Sequence, residues 1–321
     1  MRNNTRLTMH TLLCAVLSAT VLVVKADDLA IKKDYPLEKL TSHVYVIHGP
    51  NEEVSKANQA FRNNPVLVDT RDGFVVIDPG SSLYTGEMIV NKARDLSNKP
   101  IIAVFDTHDH GDHWLGNHGI KKHFEKVAIY AHESARDAIA GADGSMWVKA
   151  INDQSGGQIE GTQVVAPDRV VKDGDQIKLG GITFRIYYPG KAHSAADIMI
   201  EIVEEKVFVF GDVLRDKNLS PFMAGFKGNL AALELGEKTN AKVYVPGHGK
   251  SGGKAVIAEY RQFINDLLGE VKKHFEAGLS DFEMTPEVIS ALAKYKNWNG
   301  FDENIGKLIN LAYLEVESDS F

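Results

Sequence analysis

Apolar residues follow two different periods along this chain. Up to about residue 250, short β-branched and aromatic runs recur between Gly, Pro and Asn, which is the pattern of strands: Val44–Ile47, Val66–Asp69, Phe74–Asp78, Ile101–Phe105 and Val127–Tyr130. Gln176–Leu179 and Ile182–Tyr187 flank Gly180-Gly181, and Ile198–Val203 and Val207–Phe210 flank Glu204-Glu205, so two hairpins are expected. Lys242–Val245 reads as one more strand, and Thr85–Leu96 and Gly119–Phe124 as helices between strands. From Gly253 the spacing becomes three and four. Ile257, Tyr260, Ile264, Leu267 and Val271 mark one face of a long helix, and Thr285–Lys296 and Asn304–Leu314 predict two more. Residues 139–166, rich in Gly, Asp, Gln and Ser, read as a long surface insertion near a site. This order points to an α/β chain with two sheets and helices outside them. No G-x-G-x-x-G follows a strand and no Walker loop occurs, which removes support for a doubly wound nucleotide fold.

The first residues have another character. Arg2 and Arg6 precede an apolar stretch over Leu12–Val24, and Val24-Lys25-Ala26 offers a small-residue cleavage pattern before Asp27-Asp28. That stretch is shorter than the roughly 20 residues a membrane-spanning helix needs. Residues 1–26 are therefore expected to be a cleaved secretory signal. The mature protein is expected in a bacterial periplasm, with no stable membrane association. The single cysteine, Cys14, lies inside this segment, so the mature chain has neither a disulfide nor a cysteine metal ligand. The formal net charge is -7, and losing Arg2, Arg6 and Lys25 with no acid takes it to -10. Nucleic acid is an unsuitable partner for so acidic a chain, because phosphate binding needs clustered Lys and Arg.

The informative segment is Thr107-His108-Asp109-His110-Gly111-Asp112-His113. Three His and two Asp directly after an apolar strand make a poor core, since each buried imidazole or carboxylate needs a partner. On a tight loop, alternate residues can converge on one point while their neighbours aim at a second. Neutral imidazole and carboxylate are the ligands of zinc and other borderline divalent ions. Asp78 and Asp197 read as residues that orient the histidines rather than ligands, and Asp109 as polar scaffold. His118, His123 and His132 read as surface or packing residues. Trp114, Trp147 and Met146 fit packing more readily than a cleft wall. Tyr187, Tyr188 and Lys250, beside motif residues, suit either substrate contact or structure.

His108-x-His110-x-Asp112-His113 at a strand end resembles the signature of the metallo-β-lactamase superfamily. The rest of that family's pattern follows in order: Val75-Val76-Ile77-Asp78-Pro79-Gly80, Gly190-Lys191-Ala192-His193-Ser194, Phe210-Gly211-Asp212 and Val245-Pro246-Gly247-His248-Gly249. Lys191-Ala192-His193 stands where the family commonly has Gly-His. The resemblance covers roughly residues 37–260. It implies a four-layer αββα sandwich over 27–260, with a helical C-terminal extension over 261–321 packed on it. It also implies one metal site of His108, His110 and His193, a second of Asp112, His113 and His248, and Asp212 bridging the two. Two Zn2+ ions held there would share a hydroxide that attacks a small-molecule substrate, with Asp112 placed to take its proton.

Fold alone does not fix the substrate. The missing cysteine excludes cysteine-ligated β-lactamases, and Asp212 resembles the bridging aspartate of glyoxalase II-like members. The chain also looks like exported members associated with bacterial sulfur-oxidation and quinoprotein systems. The leading expectation is hydrolysis of an ester, thioester or amide-like bond. The alternatives are β-lactam hydrolysis and a persulfide dioxygenase-like activity, in which one Fe2+ sits on residues corresponding to His108, His193 and Asp212. A non-catalytic binding protein on the same fold is disfavoured by the complete ligand set.

Overall fold

A computed structural model describes residues 29–320. The expected signal segment, 1–26, lies outside the described residues. Strands β1 (Glu38–Lys39), β2 (Val44–Val46), β3 (Val66–Asp69), β4 (Phe74–Ile77), β5 (Ile101–Phe105), β6 (Ala128–His132) and β7 (Arg169–Val171) form one sheet in sequence order. It is antiparallel as far as β4 and parallel from there to β7. The second sheet has the order β12 (Val243–His248), β11 (Val207–Arg215), β10 (Met199–Ile202), β9 (Ile182–Tyr187) and β8 (Gln176–Leu179). Only its β11–β12 pair is parallel.

Side-chain alternation along the strands builds the layers. Val66, Val68, Val75, Ile77 and Phe105 of the first sheet meet Phe184, Ile186, Ile200, Val207 and Val209 of the second in one core between the sheets. The opposite face of the first sheet, with Leu67, Phe74, Val76 and Val104, packs on Ile89 and Val90 of α1 (Leu83–Leu96) and Ile120 of α3 (Asn117–His123). Phe208 and Phe210 project from the far face of the second sheet. They pack with helices α6 (Phe226–Glu237), α7 (Lys254–Glu276), α8 (Asp281–Ala291) and α9 (Phe301–Ser318). The result is the expected αββα sandwich with added C-terminal helices. Position 260, where the extension was placed, falls inside the continuous helix α7.

Three expectations change in detail. Residues 139–166, expected as a surface insertion near a site, are largely helical: α4 (Glu133–Ala140) and α5 (Ala142–Gln154) cover much of that stretch, and α5 brings Trp147 against His110 with ring centroids 5.0 Å apart. The helix expected at Thr285 begins four residues earlier, because Ser280 and Glu283 close a capping box. A further short helix, α2 (Gly111–Trp114), lies inside the histidine segment itself.

Candidate metal centre

The seven proposed ligands meet at one end of the sandwich. β4 and β5 lie side by side, and Asp78 N–H donates to Phe105 C=O at 2.9 Å, so the residues after both strands emerge together. Asp78, at φ 54°, then accepts from Thr107 N–H (2.8 Å), Thr107 Oγ1 (2.7 Å) and His113 Nδ1 (2.8 Å). One carboxylate thereby fixes the start of the histidine loop and the ring of His113. Asp197 orders the loop of His193 in the same manner, accepting from Ser194 N–H and Oγ at 2.7 and 2.8 Å. Burial pushes the Asp197 carboxyl up to about 7, against those two hydrogen bonds. β11 and β12 deliver Asp212 and His248. Gly247 between them is obligatory, since a Cβ there would stand 2.0 Å from Asp212 Oδ1.

Two ligand groups result: His108, His110, His193 and Asp212, and Asp112, His113 and His248. In the second, His113 Nε2 and His248 Nε2 are 3.3 Å apart, and each is 3.2 Å from Asp212 Oδ1. Asp112 Oδ2 is 3.4 Å from His248 Nε2 and 3.8 Å from His113 Nε2. Bonds of about 2.0–2.1 Å to a tetrahedral ion require ligand atoms about 3.3–3.4 Å from one another. These four atoms therefore fit one divalent ion. In the first group His193 Nε2 is 3.0 Å from His110 Nδ1 and 3.4 Å from Asp212 Oδ2. His108 Nε2 is buried with no hydrogen-bond partner, as an atom awaiting an ion would be. Asp212 thus offers one oxygen to each group.

Electrostatics separate the two groups. Burial, then the neighbouring His113 and His110, holds His108 well below the ordinary imidazole value. Burial also lowers His193 and His110. At His113 burial acts the same way, but Asp212, Asp78 and Asp112 together outweigh it and raise this residue well above 6.5. Asp112 and Asp212 are held well below the ordinary carboxylate value although burial opposes this. His113, His248 and Arg62 act on Asp112, and Arg215 and then His248 on Asp212.

Two arginines were not singled out in the sequence. Arg215, 2% exposed, donates from Nη1 to Asp212 Oδ2, and its Nε bonds Asn218 Oδ1 at 3.0 Å. Arg62 pairs with Glu53 at 2.8 Å, and its buried Nε has no acceptor while lying 3.8 Å from Asp112. Both line a cavity of about 180 Å³ over the ligands, walled by Trp147, Ile151, Pro221 and Phe222. Only spatial proximity reveals these residues. Other candidates prove structural. His132 stacks on Tyr188 at 3.8 Å, Tyr187 hydroxyl donates to Glu201 at 2.8 Å, His118 accepts from Gln163 N–H, and His123 lies beside Arg94. Trp114 is fully buried and donates to Asp109 C=O, and Met146 is half exposed outside the cavity.

Comparisons with known proteins agree with this geometry. Residues 59–248 match the Metallo-beta-lactamase superfamily. A "Metallo-beta-lactamase type 2" of Bacteroides fragilis is 21% identical over 79% of this chain and 94% of its own length. A "Hydroxyacylglutathione hydrolase" of Francisella tularensis is 27% identical over 49% of each. A sec-alkylsulfatase from Pseudomonas sp. superposes with a TM-score of 0.67 at 18% identity, covering 87% of this chain and 50% of that one. A domain match over more than half the chain, converging with the two ligand groups, leads to one conclusion: the chain belongs to the metallo-β-lactamase superfamily of metal-dependent hydrolases.

Proposed function

We propose that this protein is an exported dinuclear zinc hydrolase that cleaves an ester, thioester or amide-like bond in a small molecule. The observation that carries this reading is the shared carboxylate of Asp212, with one oxygen toward each ligand group. Bound there, two divalent ions would supply an activated water and a Lewis acid for the scissile group. The chain's own residues do the rest. Asp112, which lines the cavity as a carboxylate, can accept a hydrogen bond from water there and take its proton during turnover. Trp147 and Phe222 exclude water from an apolar part of the substrate. Export rests on the order of charged, apolar and small residues before Asp27.

The Arg62 cation lining the cavity favours a second reading within the same chemistry, an ester that is itself anionic. A "Linear primary-alkylsulfatase" of Pseudomonas sp. is 26% identical to this chain over a quarter of its own length, and sulfate esters are of that kind. Elemental analysis of the protein purified from its native host, followed by a panel of thioester, carboxylic ester, alkyl sulfate and β-lactam, tests both. Two zinc per chain with ester, thioester or sulfate ester cleavage is expected. One iron per chain with oxygen consumption would overturn the hydrolase assignment, and fastest turnover of the lactam would overturn the anionic-ester reading and put the amide-like bond first.

A further inference from the structure

We propose that the two metal sites are unequal by construction. The Asp112–His113–His248 set takes the first ion, and Arg215 keeps the His108–His110–His193 set a weaker, exchangeable site. This rests on the dinuclear reading above. The first observation is orientation. His113 Nδ1 donates to Asp78 at 2.8 Å and His248 Nδ1 to Arg62 C=O at 3.2 Å, so both rings already aim Nε2 at the centre. In the other set, His193 Nδ1 is buried with no partner. His108 is oriented, its Nδ1 meeting Thr107 Oγ1 at 3.0 Å, whereas His110 lies among the rings of His108, His193, Phe222 and Trp147, at 4.7, 4.8, 4.9 and 5.0 Å. Binding through His193 Nε2 therefore requires an N–H at Nδ1 that nothing accepts.

The second observation is charge. One set holds a whole carboxylate, Asp112, together with Asp212 Oδ1. The other has three neutral rings and only Asp212 Oδ2, the oxygen on which Arg215 donates. A guanidinium there draws electron density from the ligand oxygen and repels an arriving dication. Arg215 is held in place: its Nε and Nη2 bond Asn218, and Asn218 Nδ2 bonds Asn51 Oδ1 at 2.7 Å. With metal scarce the protein is half-loaded at His113. The second ion joins only as free metal rises, which makes the fully loaded state responsive to metal supply.

The test uses the full mature chain stripped of metal, with Zn2+ or Co2+ added against a competing chelator at about pH 8, where free histidine is neutral. Two binding steps at least about tenfold apart are expected, the range that orienting partners impart to metal affinity. His113→Ala or Asp112→Asn should remove the first step, and His108→Ala the second. Arg215→Gln keeps a donor at Asp212 but loses the charge, and should tighten the second step about tenfold, whereas Arg215→Lys should not. If Arg215→Gln fails to fold, the histidine variants still decide the order. Equal steps, or a tight step that survives His113→Ala and disappears in His108→Ala, would overturn the order. An unchanged second step in folded Arg215→Gln would overturn the role of Arg215. A single equivalent bound at His113 would uphold the order and instead refute the dinuclear reading.

Discussion

Asp78 shows how one residue sets the chemistry of its neighbours. A positive φ is costly for most side chains but tolerated by Asp, and the turn it makes lets one carboxylate accept from Thr107 twice and from His113 once. Against burial, Asp212 first and Asp78 and Asp112 after it raise His113 above its ordinary value of 6.5 and so set a pH dependence. In the metal-free fold, the stability contributed by protonated His113 is fully present below 6.5 and is lost as pH rises through the raised folded value. Asp112 and Asp212 act oppositely: their contribution is present above the ordinary carboxylate value of 3.8 and is lost as pH falls through their depressed folded values. Below 6.5 the depressed His108, His110 and His193 act against the gain from His113, because the unfolded chain takes up protons that their folded rings refuse. Above 6.5, denaturant midpoints of the metal-free chain should fall as pH rises through the raised His113 value, and that fall should be absent in His113→Ala. An ion at His113 must displace that proton, so its affinity should rise by up to about tenfold per pH unit below the raised value. The site of His108 and His193, whose rings are already neutral, should respond far less. Chelator competition at several pH values reads both slopes, and equal slopes would contradict the assignment. His108, His110, Asp112 and His113 stood out in the sequence because a strand end followed by dense His and Asp has few other uses, whereas Asp78, His193, Asp212 and His248 were marked only by their place in the family's pattern. Arg62 and Arg215 were not marked, because a single arginine carries no spacing signal and its role exists only where β11 and the 51–64 segment meet.

At the scale of elements, the expected strands and the α7 helix matched their sequence patterns within a few residues, the strands as short β-branched and aromatic runs between breakers and the helix by its single apolar stripe. The two- and three-residue strands β1 and β7 carry too short a run to read. Helix α5, within the stretch expected as a surface insertion, was not legible as a helix for a physical reason. Ala142–Gln154 buries only Gly144 and Ile151 fully, so it lacks the apolar stripe that betrays a helix. The capping box Ser280-Asp281-Phe282-Glu283 is a local signal that places the helix start at Asp281 rather than Thr285. Helix α5 serves the cavity. Gly111 sits beneath it, and a Cβ there would come within 2.8 Å of Trp147 Cβ and 3.0 Å of Ile151 Cδ1. Glycine in the histidine segment therefore lets this helix lie against the metal ligands. Trp147→Ala should remove one wall of the cavity and leave the ligand set intact. The expected outcome is full metal content with KM raised several-fold for substrates with an apolar body, since losing an aromatic contact costs about 1 kcal/mol or more. Metal loss in Trp147→Ala would show that the helix instead supports the ligands themselves.

At the scale of the whole molecule, the C-terminal helices are part of the fold that holds the site. Met284, Val288, Leu292, Tyr295, Trp298, Phe301, Ile305, Leu308 and Ile309 are buried in one cluster with Phe208, Phe210 and Leu214 of β11, the strand that carries Asp212. At about 1.5–3 kcal/mol for each large apolar side chain, their burial exceeds 10 kcal/mol before the entropy of ordering two helices is subtracted. That is comparable with the 5–15 kcal/mol by which a typical domain is stable. The tail also anchors the segment after Asp212. Asn304 Nδ2 donates to Leu219 C=O at 2.9 Å, Leu219 N–H to Asn299 C=O at 2.8 Å, and Glu315 accepts from Phe226 N–H at 2.7 Å and Lys227 N–H at 2.9 Å. Phe222, a wall of the cavity, lies between these anchor points. Two interventions of different strength should therefore separate stability from site geometry. Ending the chain after Glu276 strips the cover from Phe263, Ile264 and Leu267 of α7, and should yield insoluble or chaperone-bound protein. Glu315→Ala removes only the cap of α6 and should lower stability by about 1 kcal/mol. It should also loosen Phe222, raising KM while metal content stays full. A soluble, cooperatively unfolding chain ending at Glu276, with two metals bound, would show that β11 and the metal centre stand without the C-terminal helices.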